Sequence, residues 1–470
     1  MDKKNIYIVM RNLVCCVLFA FACIFAGCSN SAKKEFNALL IELAEQDKTI
    51  DSGDWAQIVT FLDNNKANFK EFYKDGQMDV QEVQEYISDF FEHRRPPFEV
   101  TIIGQGHDKL TFRLFIERSG SMTPYDSKDG DGSFRSTIMS LQNSLPGDVK
   151  MDSIGEKGYT DFRKIFDKVL NKTNKDEVSI LVTDMIYSVR DMANVNPQKV
   201  FNEAEEMISA VFKDEVKNKS MVAIRMIGSY NGPYYAYDNS AHQFAGKRPY
   251  YILVVGSNEN IKRLTQDPSL RFFSEIQGMR GYDNMCLFTA EDLYEPYHSF
   301  LLTNHDVRGR FKPAHGQGYQ IKSLEDVKPD KNSGDVQLVL AVDLSDMLID
   351  QRYLCDKGNY MVEADDDIKL KAIRKIEKAD MTPAQKQYIG TATHLFILSA
   401  NRINHEQDVE IKLLNRMPEW IENCTTENDL TPDSRSTFAL KYVLGGIWNS
   451  YKRYADRKPC FFELELKLDK

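Results

Sequence analysis

Two stretches, Ser179-Ile180-Leu181-Val182 and Tyr251-Ile252-Leu253-Val254-Val255, are uninterrupted by charge. Successive side chains of a strand point to opposite faces, so such runs are stable only in a sheet covered by helices on both sides. The surrounding sequence supplies the rest of that layout. Strands are expected at Phe98 to Ile103, Lys109 to Ile116, Val178 to Thr183, Met221 to Ile227, Tyr250 to Val255 and Met285 to Phe288. Helical spacing falls between them, at Phe134 to Leu145, Asp161 to Leu170, Pro197 to Phe212 and Glu259 to Leu264. Alternation of this kind predicts an α/β domain over residues 96–295, doubly wound on a mostly parallel sheet.

The flanks read differently. Residues 28–95 carry a leader and helical patterns such as Phe36-Leu39-Leu40-Leu43 and Val80-Val83-Tyr86-Ile87-Phe90, which predict a small helical module closed by Pro96-Pro97. Asp75-Gly76-Gln77-Met78-Asp79 with Glu82 imitates part of a calcium loop, but Tyr73 is a poor ligand; Asp79 fits better as a helix cap. Beyond residue 300, Val336 to Leu344, Val409 to Leu413 and Phe462 to Leu468 alternate apolar with polar, the pattern of strands with one buried face. Residues 300–470 are therefore expected to form a β-rich, sandwich-like domain with one long helix, Thr437 to Tyr454.

At 470 residues, 42% hydrophobic and 11% aromatic, the chain can bury more than one core, and a formal charge of −10 argues against a nucleic-acid binder. Cys286, Cys355, Cys424 and Cys460 are spaced for neither a zinc site nor a redox pair; free thiols and a single disulfide both fit.

The chemistry concentrates in Leu114-Phe115-Ile116-Glu117-Arg118-Ser119-Gly120-Ser121-Met122, where a strand runs into an acid and two hydroxyls spaced two apart. Thr160, ahead of a helix, and Asp184, ending Leu181-Val182-Thr183-Asp184, follow in order. This series resembles the von Willebrand factor A family, whose first motif is Asp-x-Ser-x-Ser. The resemblance implies a metal-ion-dependent adhesion site in which Ser119, Ser121 and Thr160 touch a magnesium ion while Glu117 and Asp184 act partly through water, with manganese or calcium as substitutes. Hydroxyl and carboxylate oxygens are the hard donors such ions require. It also implies binding of a protein partner rather than catalysis. Glu117 stands where the family has Asp, and the extra methylene displaces its carboxylate, so a metal-free scaffold is the alternative reading. A serine hydrolase is disfavoured because no Gly-x-Ser-x-Gly elbow surrounds Ser119 or Ser121.

Three further stretches invite functional readings. Asp126, Asp129 and Asp131 lie in an acidic loop expected to be a mobile turn; Ala341-Val342-Asp343-Leu344-Ser345-Asp346 imitates the first motif but has Met347 at the second hydroxyl position; Tyr230 to Tyr237, followed by the basic pair Lys247-Arg248 before Pro249, reads as a strand extension or hairpin, with a sugar or protein contact as the alternative.

The chain begins with Lys3, Lys4 and Arg11 ahead of an apolar run from Leu13 to Phe25, shorter than the roughly 20 residues a membrane-crossing helix needs. Phe25-Ala26-Gly27-Cys28 resembles a bacterial lipoprotein signal. That resemblance implies removal of residues 1–27, acylation of Cys28 and tethering to a membrane of the cell envelope; Ser29, not an aspartate, follows the cysteine, which favours the outer membrane.

Overall fold

The computed structural model describes residues 32–44, 49–50, 52–74, 77–94, 100–102, 110–145, 149–155, 160–187, 196–238, 240–266, 272–291, 293–317, 320–454 and 460–470. Cys28 and its apolar leader, Asp75-Gly76 and Pro96-Pro97 lie outside these residues. The chain divides into two compact units, with the break in the main chain between His107 and Asp108.

In the first unit, residues 32–44, Ser52–Asn64 and Val80–Glu92 are helical. Their apolar faces close over Phe36, Leu40, Trp55, Phe69, Phe72, Ile87 and Phe91. Asp79 caps the third helix, accepting from the Glu82 N–H at 3.3 Å. The expected strand at Phe98 to Ile103 appears in part, as Thr101–Ile102, but it pairs in parallel with Thr49–Ile50 instead of joining the larger sheet.

The second unit contains that sheet, formed by β1 (Thr111–Glu117), β2 (Val149–Ile154), β3 (Glu177–Thr183), β4 (Lys219–Tyr235), β5 (Ala241–Ser257) and β6 (Tyr282–Phe288) in the order β6-β4-β5-β3-β1-β2. The architecture is α/β, but the expected mostly parallel sheet is mixed. Only β1 with β2 and β1 with β3 are parallel, whereas β3 with β5, β5 with β4 and β4 with β6 are antiparallel. The cause is local. Tyr235 pairs with Ala241, so β4 and β5 are joined by a tight turn, too short for the crossover that a parallel pair needs. Tyr230 to Tyr237 thus lies on the extension of this long hairpin.

Every residue of β3 is buried, as its composition requires. The covering helices form two groups. Helix α1 (Ser133–Ser144) and α4 (Asn258–Gln266) each pack with α5 (Phe272–Gly278); α2 (Phe162–Lys172) packs with α3 (Pro197–Phe212), which also receives a helix from the far end of the chain. Residues 300–470 do supply two sheets. The first runs β7 (His298–Leu301), β10 (Val336–Val342), β13 (His394–Ala400), β12 (Lys369–Lys375); the second runs β8 (Arg310–Pro313), β9 (Ser323–Lys328), β15 (Cys460–Leu468), β14 (Gln407–Leu414), β11 (Tyr360–Glu363). Short helices α6 (Gln351–Cys355), α7 (Pro383–Ile389) and α8 (Glu419–Asn423) interrupt them, and α9 (Leu440–Tyr454) precedes the last strand.

Strands β14 and β15 alternate buried with exposed positions as expected. Strand β10 does not: all of it is buried. Leu338 and Leu340 join the main core, while Val339 and Ala341 pack with Leu301, Leu395 and Ile389 of α7, so both faces of this central strand are covered. Helix α9 packs on α3 rather than within the sandwich, and one continuous core includes residues of both the mixed sheet and the C-terminal sheets.

Candidate functional site

Strands β1 and β3 are parallel neighbours that pair Ile116 with Val182, so their ends carry Glu117 and Thr183 side by side. The carboxyl ends of adjacent parallel strands are where an open α/β sheet forms its ligand crevice. Glu117, Ser119, Ser121, Thr160 and Asp184 converge there, and all are buried. Thr160, immediately ahead of α2, donates its hydroxyl to Glu117 Oε1 at 2.7 Å. Thr183 donates to Glu117 Oε2. Ser119 Oγ and Ser121 Oγ lie 2.9 Å apart, sharing a hydrogen bond.

The turn after β3 is built by its own side chains. Thr183 Oγ1 accepts from Met185 N–H at 3.0 Å, and Asp184 Oδ1 accepts from Ile186 N–H at 3.1 Å. These bonds hold Met185 in the left-handed region, at φ 57°. Asp184 Oδ2, by contrast, is buried and has no hydrogen-bond partner. On the other side, Gly155 (φ 87°) ends β2 so close to the site that a Cβ there would sit 3.2 Å from Glu117 Cγ. That approach is open only to glycine.

Burial raises the Glu117 carboxyl to about 7, and the neighbouring Asp184 charge adds to the rise; the hydroxyls of Thr183, Thr160 and Ser119 oppose it. Asp184 is also raised, first by burial, with the Ser121 hydroxyl, the Ile186 N–H and the Arg248 charge countering. Two carboxylates in one buried site cannot both stay ionised without a compensating proton or cation. Arg248 provides part of the compensation. Its guanidinium is itself buried, 4.4 Å from the centroid of the Tyr234 ring, and donates to the Asp433 carbonyl at 2.7 Å.

The donor set fits a hard cation. Ser119, Ser121 and the unpartnered Asp184 oxygen are all oxygen ligands, with Glu117 and Thr160 behind them. One feature runs against it: both Glu117 oxygens already accept hydrogen bonds from threonines. Beside the cluster opens a groove of about 700 Å³ lined by Arg118, Met122, Phe134, Ile138 and Met139.

All five residues singled out from the sequence are thus together. Thr183, Gly155 and Arg248 were missed. Thr183 is adjacent in sequence to Asp184 and could have been included; Arg248 stood out only as half of the basic pair Lys247-Arg248, and nothing local tied it to this cluster. The acidic loop is pinned, with Asp126 bonded to Arg135 at 2.8 Å and Asp131 to Lys247. Asp343 accepts from Ser345 N–H at 2.9 Å, making the motif imitation a simple turn. Cys286, Cys355 and Cys424 carry free thiols. Another group close enough to share an ion, Asp89, Glu92 and His93, is exposed on one helix end of the first unit. No family model matches the chain, and no curated protein or solved structure shows significant similarity to it.

Proposed function

We propose that this is a lipid-anchored envelope protein whose second unit binds a protein partner through a face centred on Glu117, Ser119, Ser121, Thr160 and Asp184, with a divalent cation in that cluster. The observation that carries the reading is the convergence of these five side chains around a buried Asp184 oxygen that has no partner. An unpaired buried carboxylate oxygen is costly, and a hard cation among hydroxyls removes the cost. The fold class supports the placement, since the cluster lies where an α/β sheet holds ligands. Ser119 and Ser121 hydrogen-bond each other, which holds two hydroxyl oxygens 2.9 Å apart within the cluster.

The test is thermal. Magnesium or manganese at millimolar concentration is expected to raise the melting temperature of the chelator-treated protein, and Ser119→Ala with Asp184→Ala is expected to abolish the rise. A second reading, a metal-free scaffold, is favoured by the complete hydrogen bonding of Glu117. Identical melting curves with every divalent ion and with chelator would leave only that reading.

A further inference from the structure

A second pocket, of about 940 Å³, opens elsewhere in the second unit, where β4 and β6 of the mixed sheet meet the loops around α6 and α8. Its size is that of a small-molecule site, roughly 300–1,000 Å³. Basic side chains crowd it. Arg225, Lys247, Arg352, Arg416 and Arg435 all line it, against the four carboxylates of Asp283, Asp350, Asp356 and Glu419, on a protein whose formal net charge is −10.

Most of this charge is already committed. Arg225 is buried and pairs with Asp283; Arg352 binds Asp350 at 2.8 Å and the Asp283 carbonyl at 2.6 Å; Lys247 pairs with Asp131. These pairs make a fixed floor. Arg416 and Arg435 are different. Both are exposed, and neither guanidinium has a carboxylate partner among the described residues; that of Arg416 reaches only the Gly358 carbonyl, at 3.3 Å, while the Arg435 main-chain N–H donates to Asp433. Two further donors of lining residues, Arg225 Nε and the Trp420 indole N–H, are closed off from solvent and have no acceptor. The remaining wall mixes Met285, Tyr353, Met417 and Trp420 with the polar side chains of Asn359, Asn423 and Ser434. The exposed guanidinium groups of Arg416 and Arg435 call for an oxyanion, and the rings of Tyr353 and Trp420 set among polar side chains call for a body such as a sugar ring.

We propose that this pocket binds a small ring-sized ligand bearing one oxyanion, an acidic sugar or sugar phosphate, with Arg416 and Arg435 as the residues that recognise its charge. The site is separate from the Glu117 cluster and stands or falls independently of the metal. Calorimetric titration of the full chain with glucuronate, glucose 6-phosphate, glucose and inorganic phosphate tests it. At least one of the two anionic sugars is expected to bind at least about tenfold more tightly than glucose or phosphate alone, and Arg416→Ala with Arg435→Ala is expected to weaken that binding by a similar factor. Which sugar binds identifies carboxylate or phosphate as the anion. An unchanged melting temperature of the double variant establishes that its fold is intact, both positions being exposed. Equal binding of glucose, binding of none of the four, or undiminished binding by the double variant would overturn the proposal.

Discussion

Buried ionisable groups leave the clearest single-residue signatures in this molecule. At the candidate site the Glu117 carboxyl is raised because burial and Asp184 both penalise its charge. His298 shows the opposite sign for the same reason. It is buried in β7 against the Pro296 and Glu465 carbonyls, and burial, aided by the nearby Lys322 charge, lowers it to about 4. The native state therefore keeps this imidazole neutral, while the unfolded chain takes up a proton below about pH 6.5. Its contribution is fully present above the unfolded pKa and is lost as pH falls from about 6.5 through 4, by up to about 3 kcal/mol. Stability against urea measured at pH 7, 5.5 and 4.5 should show this, and His298→Gln should flatten the acid limb. Parallel pH profiles of parent and variant would rule the assignment out.

Helix pairing is where small residues decide the architecture. Helix α9 crosses α3 closely enough that Ser450 Oγ donates to the Ser209 carbonyl at 2.9 Å, and Phe201 stacks on Tyr442 at 4.5 Å. Gly446 sits at the crossing. A Cβ there would fall 2.5 Å from the Glu205 carbonyl oxygen, a backbone atom that cannot step aside, whereas one at Gly445 would meet nothing nearer than 3.8 Å. The adjacent glycines thus predict opposite outcomes. Gly446→Ala is expected to destabilise by on the order of 2 kcal/mol through overpacking. Gly445→Ala is expected to be neutral or to stabilise by up to about 1 kcal/mol through helix propensity. Chemical denaturation of both variants decides the matter, and equal effects would show that the crossing does not depend on Gly446.

At the scale of the whole chain, residues far apart in sequence complete one another. Arg225 of β4 donates to the Arg435 carbonyl at 2.5 Å, and Tyr451 of α9 donates to the Lys219 carbonyl at 2.9 Å, so the C-terminal segment is part of the mixed sheet's own cover. Among the described residues no helix is long and apolar enough to cross a membrane. Membrane attachment in the proposed function rests on Cys28, which lies outside the described residues. Cells grown with labelled palmitate should label the protein, and Cys28→Ser should remove the label; a labelled variant would refute the anchor. Much of this molecule was legible in advance. The two-sided apolar run at β3 dictated a covered strand, the spacing at Pro197 to Phe212 a helix, and the alternation at β15 a half-exposed edge to the core, because each is a local periodicity that burial enforces. The order Glu117, Ser119, Ser121, Thr160, Asp184 likewise placed one site at the strand ends. Other features depended on partners the local pattern does not contain. Strand β10 looked half-exposed until α7 covered its second face, the run in β5 looked parallel until its hairpin set the direction, and α9 found its place on α3. Sequence by itself determined which segments had to be buried and which side chains could do chemistry; only the tertiary structure decided what buries them and which of those side chains share a site, because a helix or strand face records how much surface it must hide but not which surface it will meet.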